Sequence, residues 1–406
     1  MFNQRLLNPR VAVITGCVLL IVMGSLPVLL SFPDLLKIKL LESWPALKFA
    51  GQGFVVLFLL GIIFLIAKLD SMPTPMKFFL YGGFLLLALI LTDIHWDTVD
   101  TMRQIHKSDG PQINLLKFDW EINQDVKIIR GKGNPPHQYR FLPQGILWWI
   151  FQPSQNFRFA YNTYRCFFTF WVLLSLYKLS RMYNPHKESL IVVFLYAILY
   201  PLSVRYYYGN ILDPMFHTIF FMALMYCQKR KMPEFVLFVT AGMLVKETII
   251  LVLPCWYLLN MELPFAIRKK MILQLGLLAG ACVVLFLACR IPFGFSYDNK
   301  TLNGVSQLMI MDNLGFGTTK ILIPVWVRYM HPALFIFMWL GILILYRKFI
   351  SRPLFYTAIY LSVFIYLTNL CFGWNYESRN FIPAFGLLAI CAVSIFSQMK
   401  TEPAEL

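Results

Sequence analysis

The stretch "KFFLYGGFLLLALILTDIHWDTVDTM", residues 77–102, decides how the chain is read. Residues 78–92 carry no charge, and then Asp93, Asp97 and Asp100 follow in quick succession. About 20 apolar residues cross a bilayer, and carboxylates mark where hydrocarbon gives way to water. The run is therefore a membrane span ending in an acidic boundary. If the helix continues past that boundary, the three carboxylates fall at i, i+4 and i+7, on one face. The bland reading is helix termination, and the functional reading is a site. Clustered carboxylates raise one another's pKa, so packing them together has a cost that termination alone does not require.

Working outward, apolar runs recur along all 406 residues, of which 58% are hydrophobic, 17% aromatic and only 14% charged. The expected fold is all-α, a polytopic transmembrane helical bundle of about 10–12 spans forming one domain over 1–406. Spans are expected near 11–32, 48–67, 77–93, 158–177, 189–204, 214–228, 271–289, 333–346, 354–371 and 381–397. The first is too long for a signal peptide and lacks a cleavage pattern, so it reads as a retained span. Residues 234–259, "FVLFVTAGMLVKETIILVLPCWYLL" with its neighbours, are flanked by "QKRKMPE" and "IRKK". Two basic flanks on one side require the segment to enter and return. It reads as a helical hairpin with Lys246 and Glu247 near its tip, although a single long span has the same composition.

The formal net charge of +16 is better read as topology than as a nucleic-acid surface. With the N-terminus inside, the inner loops carry clusters such as Lys229, Arg230 and Lys231, Arg268, Lys269 and Lys270, and Arg347 with Lys348. The short outer loops carry only Lys37, Lys39, Lys48, Arg205 and Arg379. That bias obeys the positive-inside rule, and inner basic patches meet anionic lipid. Two long outer segments remain, about 94–157 and 290–332. Within the first, "FLPQGILWWIFQP" is too short to span and reads as an interfacial helix. The eight cysteines sit in apolar runs without paired spacing, which argues for small core residues and against disulfides or zinc.

Four further features weigh on function. "HQYRFLPQ", 137–144, brings His137, Tyr139 and Arg140 to the start of the interfacial helix. An arginine there either holds the helix start or binds phosphate through its fork of donors. The Lys246–Glu247 pair lies in an apolar stretch, where each charge costs about 3 kcal/mol at mid-membrane on insertion scales. It is either a self-paired tip or a ligand contact. "NYESRNFIP", 375–383, supplies Glu377 and Arg379 beside interfacial aromatics, and "VRYYYGNILDP", 204–214, supplies Arg205 and Asp213 in a similar outer turn. "LGFGTTK", 314–320, lacks the Walker spacing. "GLLAG", 276–280, reads as helix packing. His95, His106 and His137 lack metal-ligand spacing, so no dedicated metal site is expected.

In this order the motifs resemble those of the GT-C class of integral-membrane glycosyltransferases, which use polyprenyl-phosphate-linked sugars. "TDIHWDTVD" is similar to the acidic opening of that class's early outer loop. "QYRFLPQ", "VKET" and "ESRNFIP" are similar to its later elements, the last matching as Glu377, Arg379 and Pro383. The acidic loop here follows the third apparent span rather than the first, and no large soluble C-terminal domain follows the spans. The resemblance implies an inverting sugar transfer from a polyprenyl-phosphate donor to a glycan, lipid or protein acceptor on the outer face of the membrane. Asp97 is the implied general base, with Asp93 and Asp100 in reserve. Arg140, Arg205 and Arg379 are the implied phosphate ligands, and Lys246 and Glu247 the implied support of the lipid-facing cavity. A divalent ion, Mg or Mn, held by the acids is compatible but not required. The implied setting is cell-envelope polysaccharide synthesis in a bacterial inner (plasma) membrane, with both termini cytoplasmic. The alternatives are a polysaccharide polymerase or ligase, and a lipid-linked sugar transporter or flippase.

Overall fold

The computed structural model describes residues 45–69, 72–108, 141–200, 211–291, 336–372 and 378–399. Among the described residues there is no strand, and the regular structure is helical. The helices are α1 (Pro45–Leu69), α2 (Thr74–Ser108), α3 (Phe141–Ser154), α4 (Phe157–Ser180), α5 (His186–Leu199), α6 (Leu212–Gln228), α7 (Met232–Met243), α8 (Cys255–Leu258), α9 (Phe265–Ala288), α10 (Ile336–Leu345), α11 (Arg352–Phe372) and α12 (Ile382–Met399). Four stretches among them are long and apolar enough to cross a membrane: Thr74–His95, Phe265–Ala288, Arg352–Cys371 and Ile382–Met399. An all-helical protein with such spans is consistent with residence in a membrane, where only internally hydrogen-bonded backbone is tolerated.

The remaining expected spans differ in instructive ways. The expected span at 11–32 lies outside the described residues, as do residues 109–140 of the first outer segment and 292–332 of the second. α4 has 24 residues but carries Arg158, Asn162 and Arg165 in its first half, and it is not among the four. α5 has 14 residues and α6 has 17. Residues 201–210, which separate them, lie outside the described residues.

The chain divides into two compact units. The first comprises Met1–Leu174, Asn210–Phe216 and Leu244–Lys246. In it α1 packs on α3, with Phe58 and Trp149 rings 5.3 Å apart and Gln52 donating to the Ser154 carbonyl at 3.5 Å. α3 exists where the sequence places an interfacial helix, with Pro143 in its first turn, where a missing N–H is harmless. Residues 142–147 are all buried, so the helix packs against protein along its length rather than resting on lipid alone. α2 presents Tyr81, Phe84, Ala88, Leu91 and His95 as its buried stripe. Those positions recur every three or four residues, the spacing of one helical face. Its other side exposes Phe78, Phe79, Leu86 and Leu89.

The second unit comprises Ser175–Gly209, His217–Met243 and Glu247–Leu406. Its centre is α12, fully buried from Ile382 to Ile395 and packed most extensively on α5. A polar network ties α12 to the turn that leads into α5. Ser394 donates to the Asn184 side-chain oxygen at 2.8 Å, and the Asn184 amide donates to the Ile390 carbonyl at 3.3 Å and to Ser180 at 3.3 Å. Buried polar groups are affordable when partnered in this way. Gly386 permits the tight approach of α6: a Cβ there would meet the Phe221 ring at 2.5 Å.

Residues 232–260 form the hairpin expected from the basic flanks. α7 leads away from its base, and a 3₁₀-helix, Glu247–Val252, and then α8 lead back. The two ends meet: Arg230 Nε donates to Asn260 Oδ1 at 3.0 Å, and Asn260 Nδ2 donates to the Cys227 carbonyl at 3.2 Å. The single-span alternative is thereby excluded, because a straight helix holds its ends apart. The described cysteines are all unbridged, and Cys227, Cys255, Cys282 and Cys391 are buried, as expected of small core residues.

Candidate functional site

α2 runs without a break through the acidic cluster to Ser108. No β-branched run or proline interrupts residues 86–97, and the backbone keeps its helical register past the last apolar turn. Asp93, Asp97 and Asp100 therefore share one face, as the sequence spacing requires. Which face this is could not be read from spacing. Asp93 is exposed while His95, two residues on, is 2% exposed. Two residues are about 200° apart around a helix, so the acidic face lies opposite the buried stripe. Asp93 is thus exposed, two residues before the candidate span Thr74–His95 ends.

Behind it, on the buried side, stands a basic and aromatic group. The His95 ring stacks on Tyr161 at 6.0 Å, with 21° between their planes. Arg165 is one turn along α4 from Tyr161, is 2% exposed and interacts electrostatically with His95. Tyr164 is wholly buried beside it in sequence. Arg165 was not singled out from the sequence. Its signal is a lone guanidinium inside "YNTYRCFFTFW", an apolar and aromatic run that would not hold a charge without a purpose.

The second cluster of the same unit lies at the hairpin tip. Lys246 Nζ is 4.0 Å from Asp213 Oδ1, and their side chains are 14% and 6% exposed. The ammonium also sits 5.3 Å from the Phe216 ring centroid, over its face. Asp213 occupies the first turn of α6, where the helix dipole favours a carboxylate. The sequence offered Glu247 as the neighbour of Lys246, and the structure adds Asp213 as a carboxylate facing it. Glu247 opens the returning 3₁₀-helix and is half-buried.

Of the other expected site residues, Arg379 lies in the 3₁₀ turn Ser378–Phe381, and Pro383 is buried at the start of α12. His137, Tyr139, Arg140, Arg205 and Glu377 lie outside the described residues. Among the described residues no group of three His, Cys, Asp or Glu side chains is placed to hold a metal ion.

The fold and these clusters define a helical protein with four helices long and apolar enough to cross a membrane and with charged groups gathered near helix ends. The chain matches no protein-family model, no curated protein and no solved structure.

Proposed function

We propose that the protein is a membrane glycosyltransferase that transfers a sugar from a polyprenyl-phosphate donor to an acceptor hydroxyl on the outer face of the membrane. The observation behind the reading is the unbroken course of α2 through positions 93, 97 and 100, which share one helical face where a candidate span ends. A general base needs both access to the acceptor and proximity to the membrane surface where a lipid-linked donor sits. Asp97 takes the acceptor proton as the hydroxyl oxygen attacks the anomeric carbon. The bond from that carbon to the lipid phosphate breaks with inversion. Cations stabilise the phosphate as it departs: Arg140, Arg205 and Arg379, with Lys246 at the hairpin tip in support.

Asp97→Asn is expected to retain expression and a wild-type melting profile while transfer from a polyprenyl-phosphate sugar falls by about 10²–10⁴-fold, the usual range for a lost general base. Asp93→Asn and Asp100→Asn are expected to fall less. Full transfer in all three variants removes the general-base assignment. The lipid-linked sugars that accumulate when the protein is deleted identify the donor, and their absence argues against the reading.

A further inference from the structure

We propose that the closed base of the hairpin is a binding site for an anionic phospholipid of the inner leaflet. The proposal is independent of the glycosyltransferase reading. Two basic stretches, Lys229–Lys231 and Arg268–Lys270, are separated in sequence by the whole hairpin. The fold joins them. α6 ends in a Schellman turn, with Lys231 N donating to the Tyr226 carbonyl at 3.0 Å and Arg230 N to the Cys227 carbonyl at 3.1 Å. The residue in the left-handed position is usually glycine, yet here it is Arg230, with φ of 56°. Its side chain is held by Asn260 at 3.0 Å, and Asn260 in turn donates to the Trp256 carbonyl at 2.9 Å. The next residue, Tyr257, accepts from Arg268 Nη1 at 3.1 Å. A continuous chain of contacts thus runs from the first basic stretch to the second.

The surroundings select the ligand. Lys229 and Lys231 flank the Tyr226 ring, their Nζ atoms 5.9 and 6.0 Å from its centroid. The Arg268 guanidinium lies 6.0 Å from the Tyr257 ring and 5.8 Å from that of Phe265. Glu234 is buried in the first turn of α7, and Glu262 is the exposed carboxylate of the turn. Cations therefore outnumber acids on this surface. Cations ringed by aromatics suit the depth where lipid phosphates sit. Directly along the chain, α9 turns an apolar flank outward: Phe265 is 73% exposed, Leu273 65% and Leu277 69%. A soluble anion has no use for that flank, whereas acyl chains cover it while the phosphate meets Arg268 and the lysines. The positive-inside rule alone asks only for charge on this side. It does not ask for two distant basic stretches to be tied together above an apolar helix flank.

The test uses the full-length protein in neutral detergent, titrated with phosphatidylglycerol or with phosphatidylcholine of matched chains and followed by native mass spectrometry. Phosphatidylglycerol is expected to bind at least tenfold more tightly. Arg268→Gln with Lys231→Gln should weaken it roughly 10- to 30-fold. Lys269→Gln with Lys270→Gln, both on the exposed surface, tests the same site without touching the Tyr257 bond. Lys178→Gln with Lys187→Gln, basic positions in the last turn of α4 and the first turn of α5, should leave binding unchanged. Equal retention of phosphatidylcholine overturns the proposal, as does wild-type binding in both base variants. A loss in the α4–α5 control as large as in the base variants shows diffuse charge rather than a site. Displacement of the lipid by millimolar pyrophosphate assigns the surface to a soluble anion and equally overturns it.

Discussion

The Lys246–Asp213 pair shows what one charge demands of a largely apolar fold. Each partner is mostly removed from water, and the ion pair and the Phe216 ring contribute to its compensation. Removing one partner takes this ion pair from the other. Lys246→Met and Asp213→Asn are each expected to cost about 3–5 kcal/mol, read as a lower melting temperature in detergent. Lys246→Met combined with Asp213→Leu should recover much of that loss, because replacing a buried pair with apolar groups is often close to neutral. Additive losses in the double variant show that the pair is not coupled. The sequence made Lys246 conspicuous, since a lysine in "GMLVKETIILVLP" has no business in hydrocarbon unaided. It did not reveal Asp213, because the two lie on different elements and nothing in local spacing links them. The three acids of α2 show the converse. Their common face follows from helical period alone. Their orientation relative to the core does not, because a helix in lipid is apolar on both sides and hydropathy no longer marks the packed face.

The same distinction holds for elements. The hairpin was legible from its basic flanks and from parity, not from its hydrophobicity, which suits a single long span equally well. Its inner detail was not legible. The returning arm is a 3₁₀-helix and one short α-turn rather than a second α-helix. The sequence "ETIILVLP" explains this: β-branched residues at 248–250 and 252 disfavour α-helix, and Pro254 denies a donor. The arms close because Gly242 faces Ile249, and a Cβ on Gly242 would lie 2.5 Å from Ile249 Cγ1 and 2.9 Å from its Cβ. Ile249 is fully buried and has nowhere to retreat. Gly242→Val is therefore expected to destabilise the protein by about 1–3 kcal/mol, the usual cost of overpacking. Ile249→Ala added to that variant should return part of the loss by vacating the contested space. Gly242→Val melting like wild type removes the close approach from the account of the hairpin.

For the whole molecule the hairpin fixes parity. A segment that returns to its starting side is what the positive-inside rule asks for if Arg268–Lys270 and Arg347–Lys348 are both to lie inside. A single crossing at the same place inverts all that follows and sets those clusters outside. α7 has 12 residues, roughly 18 Å, so neither arm crosses a core of about 30 Å alone. The bond between Arg230 and Asn260 then requires residues 230 and 260 to share one side. Reporter fusions at residues 120, 230 and 262 of a membrane-inserted chain read this directly. Residue 120, beyond the acidic face of α2, is expected outside, and residues 230 and 262 are expected inside. Opposite sides for 230 and 262 break the hairpin and with it the lipid site at its base. A shared side for 120 and 230 breaks the arrangement that puts the carboxylates of α2 on the outer face, and the proposed transfer chemistry loses its place in the membrane. Because the two outcomes are separate, one set of fusions tests the hairpin and the acidic site independently.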